Sequence, residues 1–140
     1  MESSLTHDFE SVKFWTNNGI LFCQFTGNNT NCTLNEKNAA KYIDAVKEVT
    51  QGKPMPFLVD IRNSVGNFSI PAAKLIASSP ILKKIRISEA FIVNSINGKI
   101  LIFSYKRIFE PKTPSRVFNN MKDALQFCED TKKDFLCKPQ

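Results

Sequence analysis

Two runs of the chain, PFLVDIR (Pro56–Arg62) and ISEAFIVN (Ile87–Asn94), are rich in apolar residues and lack the in–out alternation of a half-exposed strand. Strands of that kind are buried on both sides, which is the habit of parallel or mixed sheets covered by helices. Helical patterns separate them from each other and from the strands before. Ala39, Ile43, Val46 and Val49 repeat at helical spacing, with Glu36, Lys37, Lys41, Asp44, Lys47 and Glu48 on the wet side. Thr33 and Glu36 fit a capping box at the start of this helix, Gly52 ends it, and Pro54 prevents its resumption.

Upstream, SVKFWT and ILFCQFT flank Asn17–Asn18–Gly19, and Asn-Gly between two β-rich runs predicts a hairpin because both residues tolerate positive φ. Downstream of PFLVDIR, Pro71 opens a short helix through Ala72, Leu75 and Ile76, closed at Ser79–Pro80. SRVF (Ser115–Phe118) reads as a short strand, followed by a last helix capped by Asn119 or Asn120 with Met121, Ala124, Leu125, Cys128 and Phe135 near one side. The run SINGKILIFSYKRIF (Ser95–Phe109) reads two ways. Asn97–Gly98 can turn a hairpin with KILIF returning, or Ser95 or Asn97 can cap a helix in which Ile96, Ile100, Phe103, Arg107 and Ile108 cluster. Local signals alone leave both open. The alternation as a whole predicts an α/β domain built by crossovers.

A chain of 140 residues with 42% apolar content and twelve Phe supports one domain with one core, expected over residues 11–140 behind a flexible tail, 1–10. The net charge of +6 is unevenly placed: residues 1–70 net −1 and residues 71–140 net +7. A basic half favours acidic partners, although solvated surface lysines are its ordinary explanation. No run reaches the ~18 apolar residues of a membrane helix, and the acidic, polar start is no leader sequence, so a cytoplasmic setting is expected. Cys23, Cys32, Cys128 and Cys137 form no C-x-x-C pair; on one helix Cys128 and Cys137 would face opposite ways. Reduced, buried thiols and no metal are expected.

Enzyme chemistry finds little to stand on. His7 is the only histidine and sits in the expected tail, which disfavours a Ser–His–Asp triad or a two-histidine metal site. Gly98–Lys99 lacks the earlier glycine of a phosphate loop, since Val93 occupies its place, and no G-x-G-x-x-G occurs. Asp60, at a strand end, is expected to accept loop N–H bonds rather than to act as an acid or base. No catalytic residue and no cofactor is assigned. The aromatics beside cations in FSYKRIF could serve nucleic acid, but Phe103 and Phe109 read as core, and nucleic-acid binding is disfavoured.

The opening hairpin KFWTNNGILFCQF, the stretch LNEKNAAKYIDAVKEVTQGKPMPFLVDIRN, AFIVNS, and PKTPSRVFNNMKDALQF together resemble the STAS-like fold of sulfate-transporter and anti-sigma-factor-antagonist domains. More closely, the chain resembles a family of short, uncharacterised bacterial STAS-like proteins, over about Val12 to Phe135. The resemblance implies a mixed sheet of four to five strands with an N-terminal β-hairpin and helices mainly on one face, and it implies that SINGKILIFSYKRIF is a helix. In anti-sigma-factor antagonists a serine at the start of the second helix, in an Asp-Ser-Ser-Gly-like motif, is phosphorylated by a partner kinase. The corresponding stretch here is GNFSIPAAKL, which makes Ser69 the candidate phosphorylation site. Phe68 stands in the aspartate's place and Ile70–Pro71 replace Ser–Gly, so an ordinary helix-cap role for Ser69 is preferred. Ser64, deeper in the loop, is a further candidate.

Two functions of different class follow. The first is a non-enzymatic regulatory module that binds a protein partner through Asn63 to Ser69 and the second helix. The second is a small-ligand or anion binder, of lipid or nucleotide kind, using Lys83, Lys84, Arg86, Lys106 and Arg107.

Overall fold

The structure, a computed structural model, describes residues 7–9, 12–25, 33–34, 36–62, 67–68, 70–96, 98–100, 102–103 and 113–137. In chain order the strands are β1 (His7–Phe9), β2 (Val12–Asn17), β3 (Ile20–Phe25), β4 (Thr33–Leu34), β5 (Met55–Asp60), β6 (Asn67–Phe68), β7 (Arg86–Ile92) and β8 (Ser115–Phe118). The helices are α1 (Glu36–Thr50), α2 (Ile70–Ser78), α3 (Pro80–Ile85), a helical segment α4 described at residues 96, 98–100 and 102–103, and α5 (Met121–Cys137).

The principal sheet runs β1-β2-β3-β5-β7-β8, antiparallel across its first three strands and parallel from β3 onward. The mixed α/β class is therefore the expected one. The sheet has six strands, one beyond the expected range, because His7–Phe9 pairs with Val12–Phe14 inside the stretch read as a tail. At the hairpin, Asn18 (φ 54°) and Gly19 (φ 73°) both take positive φ, as the Asn-Gly signal requires.

The central strand β5 is buried along its whole length. A proline inside a central strand would cost a ladder bond. Pro56 is accommodated by a register shift: Met55 pairs with Arg86 but Pro56 with Ser88. One face of the sheet carries Phe14, Leu21, Phe57 and Phe91, which pack with Val46 and Val49 of α1, Leu82 and Ile85 of α3, and Ile102 of α4. The other face carries Ile20, Phe22, Leu58, Ala90 and Ile92 beneath Ala124 and Cys128 of α5. Among the described residues, α1, α3 and α4 thus pack on one face and α5 on the other. A 2.7 Å hydroxyl contact between Ser88 and Thr131 pins α5 to β7.

Three local expectations shift. Helix α1 begins at Glu36, not after Thr33, because Thr33 and Leu34 are taken into a small parallel pairing with Asn67 and Phe68. Ser79–Pro80 ends α2 but also starts α3, where the Ser79 hydroxyl accepts from Leu82 N–H at 3.2 Å. After Asn94 the described residues 96, 98–100 and 102–103 are helical: the Ser95 hydroxyl accepts from Gly98 N–H at 3.0 Å, and Lys99 N–H donates to Ser95 C=O at 3.2 Å. No described residue between β7 and β8 forms a returning strand, and those two strands pair in parallel. Ser95→Ala should therefore lower stability by about 1 kcal/mol, the usual worth of such a cap. A thermal melt about 3 °C below wild type would show it; an unchanged melt would count against the cap.

Candidate functional site

In a parallel sheet the connections that follow the strands gather at one edge, and ligands favour the crevice where neighbouring connections leave to opposite faces. Here β7 and β8 are that pair, since α4 packs on the Phe91 side and α5 on the Ile92 side. Val93 N–H donates to Phe118 C=O at 2.9 Å, which carries the ladder to the lip of the crevice. Beyond it lies a cleft of about 490 Å3, walled by Asn94, Ser95, Ile96 and Lys99 on one side and by Phe118, Asn119 and Asp123 on the other.

Several polar groups of this cleft are engaged in holding the helices. Ser95 caps α4. Asn120 accepts from Asp123 N–H at 2.8 Å while its own amide donates to the Asp123 carboxylate at 3.0 Å, a reciprocal cap on α5. This settles the start of the last helix on Asn120.

Next along the same edge, Asp60 closes β5. Its carboxylate accepts from Arg62 backbone N–H at 3.1 Å, from Arg62 Nε at 3.0 Å and from Arg62 Nη2 at 2.8 Å. Burial pushes this carboxyl up, but the hydrogen bonds and charge of Arg62 outweigh burial and hold it below its ordinary value. The loop N–H bond expected of Asp60 is thus in place, and its charge is committed to Arg62.

Neither Cys23 nor Cys128 offers a ready nucleophile. Burial pushes Cys23 up to about 12; a contact from the Tyr42 hydroxyl at 3.9 Å opposes the rise and the charge of Glu89 adds to it. Cys128 rises to about 12 for the same first reason, with Glu129 raising it further and Lys132 opposing. A nucleophile needs the thiolate, and both remain thiols at neutral pH. Cys128 is buried and Cys137 exposed on the same helix, as their spacing predicts, so the expectation of buried thiols holds for Cys23 and Cys128 and fails at Cys137. Among the described residues no group of three or more His, Cys, Asp or Glu could hold a metal ion, and no helix is long and apolar enough to cross a membrane.

Asn63, Ser64, Ser69, Lys106 and Arg107 all lie outside the described residues, as does Phe109. Of the remaining cations proposed for anion binding, Lys83 and Lys84 are exposed on α3, but Arg86 is buried in the sheet. These three do not share one surface. Phe103, read as core, is instead 55% exposed, and with Ile96 at 76% and Ile100 at 57% it forms an outward stripe on α4. Their i, i+4, i+7 spacing was visible as a helical cluster; which way it faces was not, because an apolar stripe has the same period whether it looks in or out.

Strand order, the antiparallel opening hairpin and the distribution of helices define an α/β fold of the SpoIIAA-like kind. The solved structure of an uncharacterized protein from the DUF3478 family with a SpoIIAA-like fold, from Shewanella loihica PV-4, superposes with a TM-score of 0.54 at 16% identity, covering 90% of this chain and 92% of that one. The chain belongs to the family described as Domain of unknown function (DUF7793), whose model matches residues 14–132. A search of curated proteins finds no match.

Proposed function

We propose that this chain is a non-enzymatic regulatory module that acts by binding a protein partner. The observation that carries the reading is the α4 stripe: Ile96, Ile100 and Phe103 stand 76, 57 and 55% exposed along one side of one helix. Grouped apolar residues at a surface mark interaction sites more often than isolated ones do. The commitment of Asp60 to Arg62, of Asp123 to Asn120 and of Ser95 to its helix agrees with a surface that binds rather than reacts. The class of fold adds support by analogy alone. The setting is taken as the bacterial cytoplasm, where thiols such as Cys23 and Cys128 stay reduced.

Affinity capture of the full chain from native lysate, read by mass spectrometry, is the test. Recovery of a stoichiometric protein partner is the expected result, and repeated recovery of none would overturn the reading. Running Ser69→Asp beside wild type addresses regulation. A changed partner set assigns Ser69 a switching role, and an unchanged set leaves it as a helix cap.

A further inference from the structure

We propose that the cleft between the ends of β7 and β8 binds a small zwitterion of the amino-acid class, its carboxylate toward Lys99 and its ammonium toward Asp123. The inference goes beyond the interaction-module reading and does not depend on what meets the outer side of α4. The cleft lies at the switch point of the parallel strands, the place where open α/β sheets take small molecules. Its volume of about 490 Å3 falls within the ~300–1,000 Å3 usual for such sites. Where the two strands end, Val93, Val117 and Phe118 give it an apolar lining; Val93 is buried and the other two are half-buried.

The placement of charge selects the ligand. Among the described lining residues, Lys99 and Asp123 are the two charged ones, Lys99 from the α4 wall and Asp123 from the α5 wall. No ion pair joins them among the described residues, so opposite charges line one hollow without bridging it. The Asp123 carboxylate accepts from the neutral Asn120 amide, which leaves its charge in place. A molecule carrying an ammonium and a carboxylate answers both walls at once. A phosphate or nucleotide would bring negative charge against Asp123, and a polyamine would bring positive charge against Lys99. A wholly apolar molecule would strip water from both groups and replace none of it. The apolar lining takes a hydrocarbon side chain, and Asn94 adds an amide for a further polar contact. The ligand is thus an amino acid or short peptide with an aliphatic or aromatic side chain.

Calorimetric titration of the full chain with leucine, phenylalanine and leucyl-leucine tests this, with amide chemical-shift mapping to locate the site. Three analogues separate the charges: leucinamide keeps the ammonium alone, N-acetyl-leucine the carboxylate alone, and N-acetyl-leucinamide neither. The zwitterions should shift the amides of Asn94, Lys99, Phe118 and Asp123, and each analogue with one charge should bind about tenfold more weakly. Lys99→Gln should weaken leucine about tenfold yet leave leucinamide unchanged. Asp123→Asn should weaken leucine and leave N-acetyl-leucine unchanged. Because Lys99 is exposed, the melting temperature of Lys99→Gln should match wild type, which separates lost binding from lost folding. Leucine binding more tightly than leucyl-leucine assigns a free amino acid, and the reverse order assigns a peptide. No binding at about 10 mM ligand would overturn the proposal. So would shifts confined to other parts of the chain, or N-acetyl-leucinamide binding as tightly as leucine. Inorganic phosphate or spermine binding the cleft more tightly than the zwitterions would overturn it too.

Discussion

Phe14→Ala is expected to lower the melting temperature by about 10–15 °C, corresponding to about 3–5 kcal/mol for emptying a fully buried phenylalanine site. Phe14 has no exposed surface. It sits on β2, where Val12 and Phe14 face α1, and its ring meets Tyr42 edge-on at 5.1 Å and 82°. Its register partner Cys23 lies on the same side of β3 and takes the Tyr42 hydroxyl contact, so one helix residue touches both strands of the hairpin. Truncating the ring removes apolar burial and the aromatic contact at once, and Tyr42, anchored on α1, can follow only by moving the helix. Phe103→Ala is the matched control: the same substitution at a 55% exposed ring should stay within about 0.5 kcal/mol of wild type. Urea midpoints at constant slope would measure both. A Phe14→Ala melt within 3 °C of wild type would mean that the hairpin does not pack beneath α1 as described.

That contrast between two phenylalanines marks where sequence reasoning ends. The hairpin at Asn18–Gly19, the burial of α1 through Ala39, Val46 and Val49, and the two buried strands were legible because period and punctuation act locally. β1 was not, since three residues acquire strand character only from the neighbour they pair with. The Asn97–Gly98 pair was ambiguous for a physical reason: Gly98 serves here in the first turn of α4, where a Cβ would stand 3.2 Å from the Ser95 hydroxyl and 3.5 Å from Val93. Close approach, not positive φ, accounts for the glycine, and the two uses look alike in sequence. The resemblance to STAS-like domains implied a helix over Ser95–Phe109, and the described residues of that run, 96, 98–100 and 102–103, are helical; residues 104–109 lie outside the described ones. The resemblance pointed to Asn63–Ser69 for function, while the described surface draws attention to α4. There the same apolar composition serves two ends: Ile102 completes the core, and Ile96, Ile100 and Phe103 look outward. Only the position of the sheet beneath the helix separates them.

Asp60→Asn is expected to cost about 1.5–3 kcal/mol at neutral pH, the range for losing hydrogen bonds to a charged group. The Asp60 side chain is only 6% exposed and Arg62 is 34% exposed, so the pair stands between a surface ion pair and a fully buried one. Three donors from one residue converge on the carboxylate, and an amide in its place would turn an NH2 group toward at least one of them. The effect should depend on pH with a definite sign. Arg62 holds the folded carboxyl below its ordinary value. A carboxylate so depressed stabilises the fold fully above its unfolded pKa of about 3.9, and that contribution fades as pH falls through the lower folded value. Wild type should thus lead Asp60→Asn at pH 7, and the gap should begin to narrow below about pH 3.9, where the unfolded carboxyl takes up a proton before the folded one does. Arg62→Gln strands the buried carboxylate with only the backbone N–H and should be destabilising at pH 7 as well. With burial no longer outweighed, it should abolish the loss of stability on acidification that the Arg62 pairing causes. Urea midpoints of wild type and both variants from pH 7 to pH 3 would decide: a gap of constant size across that range would mean that Asp60 holds the end of β5 through shape and not through its charge.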